Sequence, residues 1–175
     1  MTRNKWPPET PSEFIELSKF AKEFQAESDR GAALVAASLL DERLKDILQA
    51  FFADVPQSQE LLEGFNAPLG TFSARINAAY SLGLLQENEY GECNIVRRIR
   101  NEFGHKWKDV SFDSPSIKKL CDSLPRLGPP NTDYSKRRRI FNFAVIILVT
   151  DLMWRATTVI KEKRTFREWP NKLRK

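Results

Sequence analysis

An arginine and the only histidine of the chain stand five residues apart in the hexapeptide Arg100-Asn101-Glu102-Phe103-Gly104-His105. Histidine is the side chain whose ordinary pKa lies between pH 5 and 8, which suits it to moving protons. The planar fork of arginine matches the oxygens of a phosphate. Together they suit RNA cleavage without a metal. His105 would take the ribose 2′-hydroxyl proton or protonate the leaving 5′-oxygen, and Arg100 would stabilise charge on the phosphorane. One histidine cannot easily do both jobs, so the chemistry calls for a homodimer that pairs two motifs. Arg97, Lys106 and Lys108 would add positive charge, and Trp107 offers a ring for base stacking. The same residues also fit a plain helix end. Gly104 can turn left-handed and swing His105 off the axis, and cations suit a helix C-terminus. Arg98 and Glu102 are spaced as an i,i+4 pair.

The elements that must hold this motif are helical almost throughout. Thr10-Pro11-Ser12-Glu13 combines an N-cap, proline at N1 and glutamate at N3, and Phe14, Leu17, Phe20, Ala21 and Phe24 follow at helical spacing. After Ser28-Asp29 a longer helix carries Ala33, Ala36, Ala37, Leu40, Leu44, Ile47, Leu48 and Phe51, and Pro56 stops it. A short helical turn is expected over 58–63, a loop over 64–70, and a helix from Thr71 with Phe72, Ile76, Ala79, Tyr80 and Leu84 inward. The motif helix runs over 87–103 with Ile95, Val96, Ile99 and Phe103 buried. A shorter helix follows Ser114-Pro115, and the last long one spans 135–162. No stretch alternates like a half-buried strand. The expected fold is all-α, a single-domain bundle of about five to seven helices over 10–162, with an N-terminal extension at 1–9 and a basic tail at 163–175.

Apolar residues make up 41% and charged residues 29% of the 175, which fits a globular protein rather than a disordered chain. Cys93 and Cys121 lack metal-ligand spacing and read as half-buried thiols of a reducing, cytoplasmic compartment. Residues 1–10 are polar and do not resemble a signal peptide. The apolar run 140–154 is interrupted by Asn142 and Asp151 and reads as a core helix rather than a membrane span. The net charge of +5 is uneven: residues 136–175 hold 12 Lys/Arg against 3 Asp/Glu, whereas residues 1–135 hold 16 against 20. Arg137, Arg138 and Arg139 in the basic run are candidate contacts for nucleic acid or an acidic partner. The chain has no phosphate-cradling glycine loop, metal-ligand cluster or serine or cysteine nucleophile motif, so neither metal nor cofactor is expected.

Several motifs together carry a resemblance. Pro68-Leu69-Gly70, Ser73-Ala74-Arg75-Ile76, Tyr80-Ser81-Leu82-Gly83-Leu84, Glu89-Tyr90 and the hexapeptide, preceded by Leu39-Leu40-Asp41-Glu42, resemble the mannitol operon repressor family. The resemblance implies an all-helical gene regulator. The sequence has no helix-turn-helix or zinc-finger signature, so regulation would act through a protein or RNA rather than by major-groove reading. The Arg100, four residues, His105 spacing also resembles the HEPN superfamily. That resemblance implies a dimeric, metal-independent endoribonuclease, with Arg100 and His105 catalytic, Asn101 as the polar neighbour and Glu42 as an acidic helper. The leading expectation is therefore a regulator of the mannitol-repressor type, and the alternative is a ribonuclease. In either case the expected partners are a second copy and an RNA or regulatory protein.

Overall fold

The computed structural model describes residues 11–106, 108–167 and 169–170, with the helix alone described for 11–14 and 16. Among them the chain forms α1 (Pro11–Ala26), α2 (Asp29–Phe51), α3 (Pro56–Leu62), α4 (Phe72–Ser81), α5 (Glu87–His105), α6 (Pro115–Asp122), α7 (Arg137–Met153) and α8 (Arg155–Val159), and then a 3-10 turn (Ile160–Glu162). No described residue is in a strand. Because α8 and the 3-10 turn continue α7 past a break, the bundle has seven helical rods among the described residues. Residues 1–9 and the Thr10 cap lie outside the described residues.

Helix α2 is the axis of the bundle, packed by α4, α5, α7 and α8. Ala32, Ala33, Ala36 and Ala37 are all buried and let neighbouring helices approach closely, while Leu40, Leu44, Ile47 and Leu48 fill the other half of the core. The Ser28 hydroxyl starts the helix by accepting from the Gly31 amide at 3.0 Å. In α4 the Thr71 hydroxyl does the same for Ala74 at 3.2 Å. Phe20, Phe24, Phe141, Phe112 and Phe103 form a chain of ring contacts that ties α1, α7 and α5 together.

The expected last helix over 135–162 starts at Arg137 and is interrupted at Trp154, between α7 and α8. By length and composition the stretch 137–162 is apolar enough to cross a membrane. Within the bundle, however, Ile140, Phe141, Ala144, Val145, Leu148, Val149 and Leu152 are buried in the core. Both cysteines are fully buried rather than half-buried. Desolvation, reinforced by Asp122, pushes the Cys121 thiol up to about 12, and burial among Glu89 and Glu92 moves Cys93 further in the same direction.

Among the described residues two charged side chains are buried, and each fixes a junction. The Arg75 guanidinium donates to the carbonyls of Leu69 and Leu62, both at 2.9 Å, and so closes the α3–α4 loop from both ends. It also sits 2.8 Å from Asp41, off line for a hydrogen bond, so that contact is chiefly Coulombic. The Glu89 carboxylate accepts from Arg155 at 2.6 and 2.9 Å and from the Gln86 amide at 2.7 Å, which ties the start of α5 to α8.

Candidate functional site

The motif lies on the last turns of α5, which continues through Gly104 to His105. This differs from the expected glycine stop: Gly104 is helical, without a positive φ, and the helix ends at Lys106 in extended backbone. Arg30 on α2 caps the end that forms: its guanidinium donates to the carbonyls of Phe103 and, at 2.6 Å, Lys106. The neighbouring Asp29 accepts from the Phe112 amide at 3.2 Å, fixing the chain where it leaves the motif. The sequence reading gave neither residue a role at the motif. The adjacent Ser28 pointed to the start of α2 but not to the distant strand of chain that α2 would hold.

Helical continuity sets the motif geometry. Five residues along an α-helix turn about 140°, so Arg100 and His105 project to different sides of α5. Arg100 is half-buried beside the Val96, Ile99 and Phe103 core face, whereas His105 is exposed. Arg97 is half-buried on the side of Arg100. It donates to Asn94 at 3.4 Å, while its Nε is buried without a partner. Neither Arg97 nor Arg100 is ion-paired among the described residues.

Asn101 lies on another side, in a cleft of about 410 Å³ between α5 and α6 that is also lined by Arg98, Glu102, Ser116, Lys119 and Leu120. Glu102 does not pair with Arg98 as its spacing suggested. It accepts from Ser116 at 2.7 Å and Lys106 at 3.1 Å, and these two bonds, Ser116 first, hold its carboxyl below the usual range. Lys106 is thus engaged within α5. Glu42 is exposed on α2, twelve residues or about 18 Å along the helix from Arg30, and does not reach the motif. Lys108 is exposed, and Trp107 lies outside the described residues.

The basic run at the start of α7 is largely engaged inside the fold. Arg138 donates to Asp29 at 3.1 Å, Asn142 at 2.7 Å and the Phe24 and Glu27 carbonyls, and lies over the rings of Phe24 and Phe112. It acts as a clamp closing α1 and α2 onto α7, not as a free contact for nucleic acid. Arg137 pairs with Asp122 at 3.0 Å, while exposed Arg139 has only a 3.4 Å bond to the Asp133 carbonyl. Of the basic tail expected over 163–175, Arg164 is docked: its amide donates to the Phe51 carbonyl at 2.8 Å and its guanidinium lies over the Phe51 ring, while 168 and 171–175 lie outside the described residues.

Among the described residues no cluster of His, Cys, Asp or Glu could hold a metal ion. The fold and site therefore define an all-helical protein whose motif presents one exposed imidazole and unpaired arginines on a capped helix end. No family model matches the chain. Over 92 residues it is 29% identical to the Mannitol operon repressor of two Escherichia coli strains, a match covering 50% of this chain and 47% of each relative. The chain thus spans about half the length of the curated relatives it matches. Among solved structures, it is similar to a chain of the X-ray structure of the MtlR-HPr complex from Escherichia coli. That likeness has a TM-score of 0.55 and 21% identity, and covers 85% of this chain and 98% of the other, which shows a common fold.

Proposed function

We propose that this chain is a cytoplasmic gene-expression regulator of the mannitol-operon-repressor type that acts by binding a protein partner rather than by reading DNA. The observation that carries this reading is the agreement of two comparisons: the sequence similarity falls on a Mannitol operon repressor, and the fold similarity falls on a complex between MtlR and a second protein, HPr. The site is compatible with it. Arg97 and Arg100 lack acidic partners within the described fold, and such cations suit an acidic protein surface. The continuous helix supports no preassembled cleavage centre, since Arg100 and His105 diverge. The ribonuclease reading would need a second copy to bring another histidine to the same phosphate.

The test is complementation. Expression of this chain in an Escherichia coli strain lacking its own mannitol operon repressor, with a mannitol-operon reporter, is expected to restore repression, and Arg97→Ala with Arg100→Ala is expected to weaken it. A stably expressed chain that leaves the reporter derepressed would overturn the assignment.

A further inference from the structure

We propose that the cleft between α5 and α6 binds a small phosphorylated polyol, a sugar or sugar alcohol carrying one phosphate monoester. Two helical stripes line it. Arg98, Asn101 and Glu102 stand three and four positions apart on α5, and Ser116, Lys119, Leu120 and Ser123 repeat that spacing on and just past α6. The walls are set before a ligand arrives. The Ser116 hydroxyl donates across the gap to Glu102 at 2.7 Å. Ile117 and Cys121 anchor α6 in the core, and Arg137 ties the end of α6 to α7 through Asp122. A cleft already in shape loses little on binding. Its volume of about 410 Å³ suits one small molecule.

The side chains of the cleft select the ligand chemistry. Its cations are Arg98 and Lys119, and among the described residues neither is ion-paired or hydrogen-bonded through its side chain. Arg30, Arg75, Arg138 and Arg155, by contrast, are each engaged by acceptors within the fold. The carboxylate of the cleft, Glu102, is matched by Lys106 at 3.1 Å, so Arg98 and Lys119 leave a surplus of two positive charges. A phosphate monoester carries nearly the same negative charge at neutral pH. Both bonds to Glu102 fall on Oε2, which leaves Oε1 as an acceptor for a ligand hydroxyl. The half-buried Asn101 amide, without a bond of its own among the described residues, both donates and accepts. The Ser123 hydroxyl donates to the Lys119 carbonyl at 3.2 Å and still accepts. Leu120 gives an apolar floor for the C–H side of a sugar. The same lining disfavours other anions. An acidic peptide would set its carboxylates against Glu102, and no aromatic ring lines the cleft to stack a nucleic-acid base. His105 lies seven positions beyond Arg98, so the side of the hexapeptide with Asn101, Glu102 and His105 is the cleft side, and Arg100 turns away.

The phosphorylated class rests on the cleft alone, whereas a hexitol as the polyol rests on the regulator reading above. The test is isothermal titration of the full chain with mannitol 1-phosphate, glucose 6-phosphate, mannitol and inorganic phosphate in turn. At least one ester is expected to bind saturably, and mannitol not to bind. Inorganic phosphate, which lacks the hydroxyls, is expected to bind about tenfold or more weakly than the better ester. Arg98→Gln with Lys119→Gln is expected to lose about tenfold or more in ester affinity. Lys118→Gln, beside Lys119 but outside the cleft, is expected to bind like wild type. All three positions are exposed, so unchanged circular dichroism shows that the variants fold. Binding of glucose 6-phosphate without mannitol 1-phosphate would support the site and count against the regulator reading. No ester binding by a folded wild type, inorganic phosphate binding as tightly as the esters, or ester affinity unchanged in Arg98→Gln with Lys119→Gln would each overturn the proposal. None of those three results would touch the reporter test of the regulator reading.

Discussion

Replacing Arg75 with methionine tests how the buried guanidinium holds the fold together. Methionine keeps most of the aliphatic packing of a side chain that is 8% exposed, and removes the fork. Lost with it are two bonds to carbonyls at 2.9 Å and a 2.8 Å contact with Asp41. A hydrogen bond from a charged donor contributes about 1.5–3 kcal/mol, and the stranded carbonyls add a desolvation cost. Breaking a buried ion pair from one side costs about 3–5 kcal/mol, but Asp41 is 28% exposed and water can resolvate it. These effects overlap, so the expected loss is about 3–4 kcal/mol, a large share of the ~5–15 kcal/mol that stabilises a domain. The assays are urea unfolding, which reads the free energy, and thermal unfolding, with a drop in melting temperature of roughly 6–16 °C, both followed by helical circular dichroism. Arg75→Lys should fall between the two, because an ammonium keeps the charge but cannot span three acceptors with the same fork geometry. A loss below about 1 kcal/mol for the methionine variant would refute the view that Arg75 closes the loop.

His105→Ala should shift the melting temperature by less than about 2 °C, since His105 is exposed. Incubated in EDTA with end-labelled RNA, wild type should match this variant; wild-type cleavage absent from His105→Ala would instead establish the ribonuclease. Burial raises the carboxyl pKa of both Glu92 and Asp151, and Glu89 adds repulsion to each. A raised carboxyl stabilises the fold while protonated, below the ordinary carboxylate range, and that stabilisation is lost as pH rises through the folded pKa. Glu92→Gln should therefore raise the melting temperature near neutral pH, with the advantage vanishing near pH 4; the reverse trend would contradict it. Both cysteines, buried and with raised pKa, should resist a thiol-specific reagent at pH 8 until urea unfolds the chain. Rapid labelling of the native protein would show that the core opens.

Local signals made the helices legible. Proline at the start of α6, the Thr71 cap and the apolar spacing of α2 and α5 act over three or four residues, and the structure follows them, whereas Pro56, expected to stop α2, instead begins α3. Partners distant in sequence were not legible. Arg138 looked like one cation of a solvated run, yet its key acceptor, the Phe24 carbonyl, lies 114 positions away. Gly104 looked like a helix stop, yet the helix runs on to His105, and Arg30, 73 positions before Phe103, binds the carbonyls at its end. Arg75 and Glu89 were visible only as parts of a family resemblance, and their burial shows a physical basis for those motifs: each ties two elements together. The divergence of Arg100 and His105 follows from the helix continuing through Gly104, so the candidate site could be located from sequence but its geometry could not.

If the chain works through a protein partner, isothermal titration of the purified chain with Escherichia coli HPr will show it. Saturable binding is expected, weakened by salt and reduced by Arg97→Ala with Arg100→Ala. Absence of binding by a folded chain, at concentrations where the Escherichia coli repressor binds HPr under the same conditions, would contradict it.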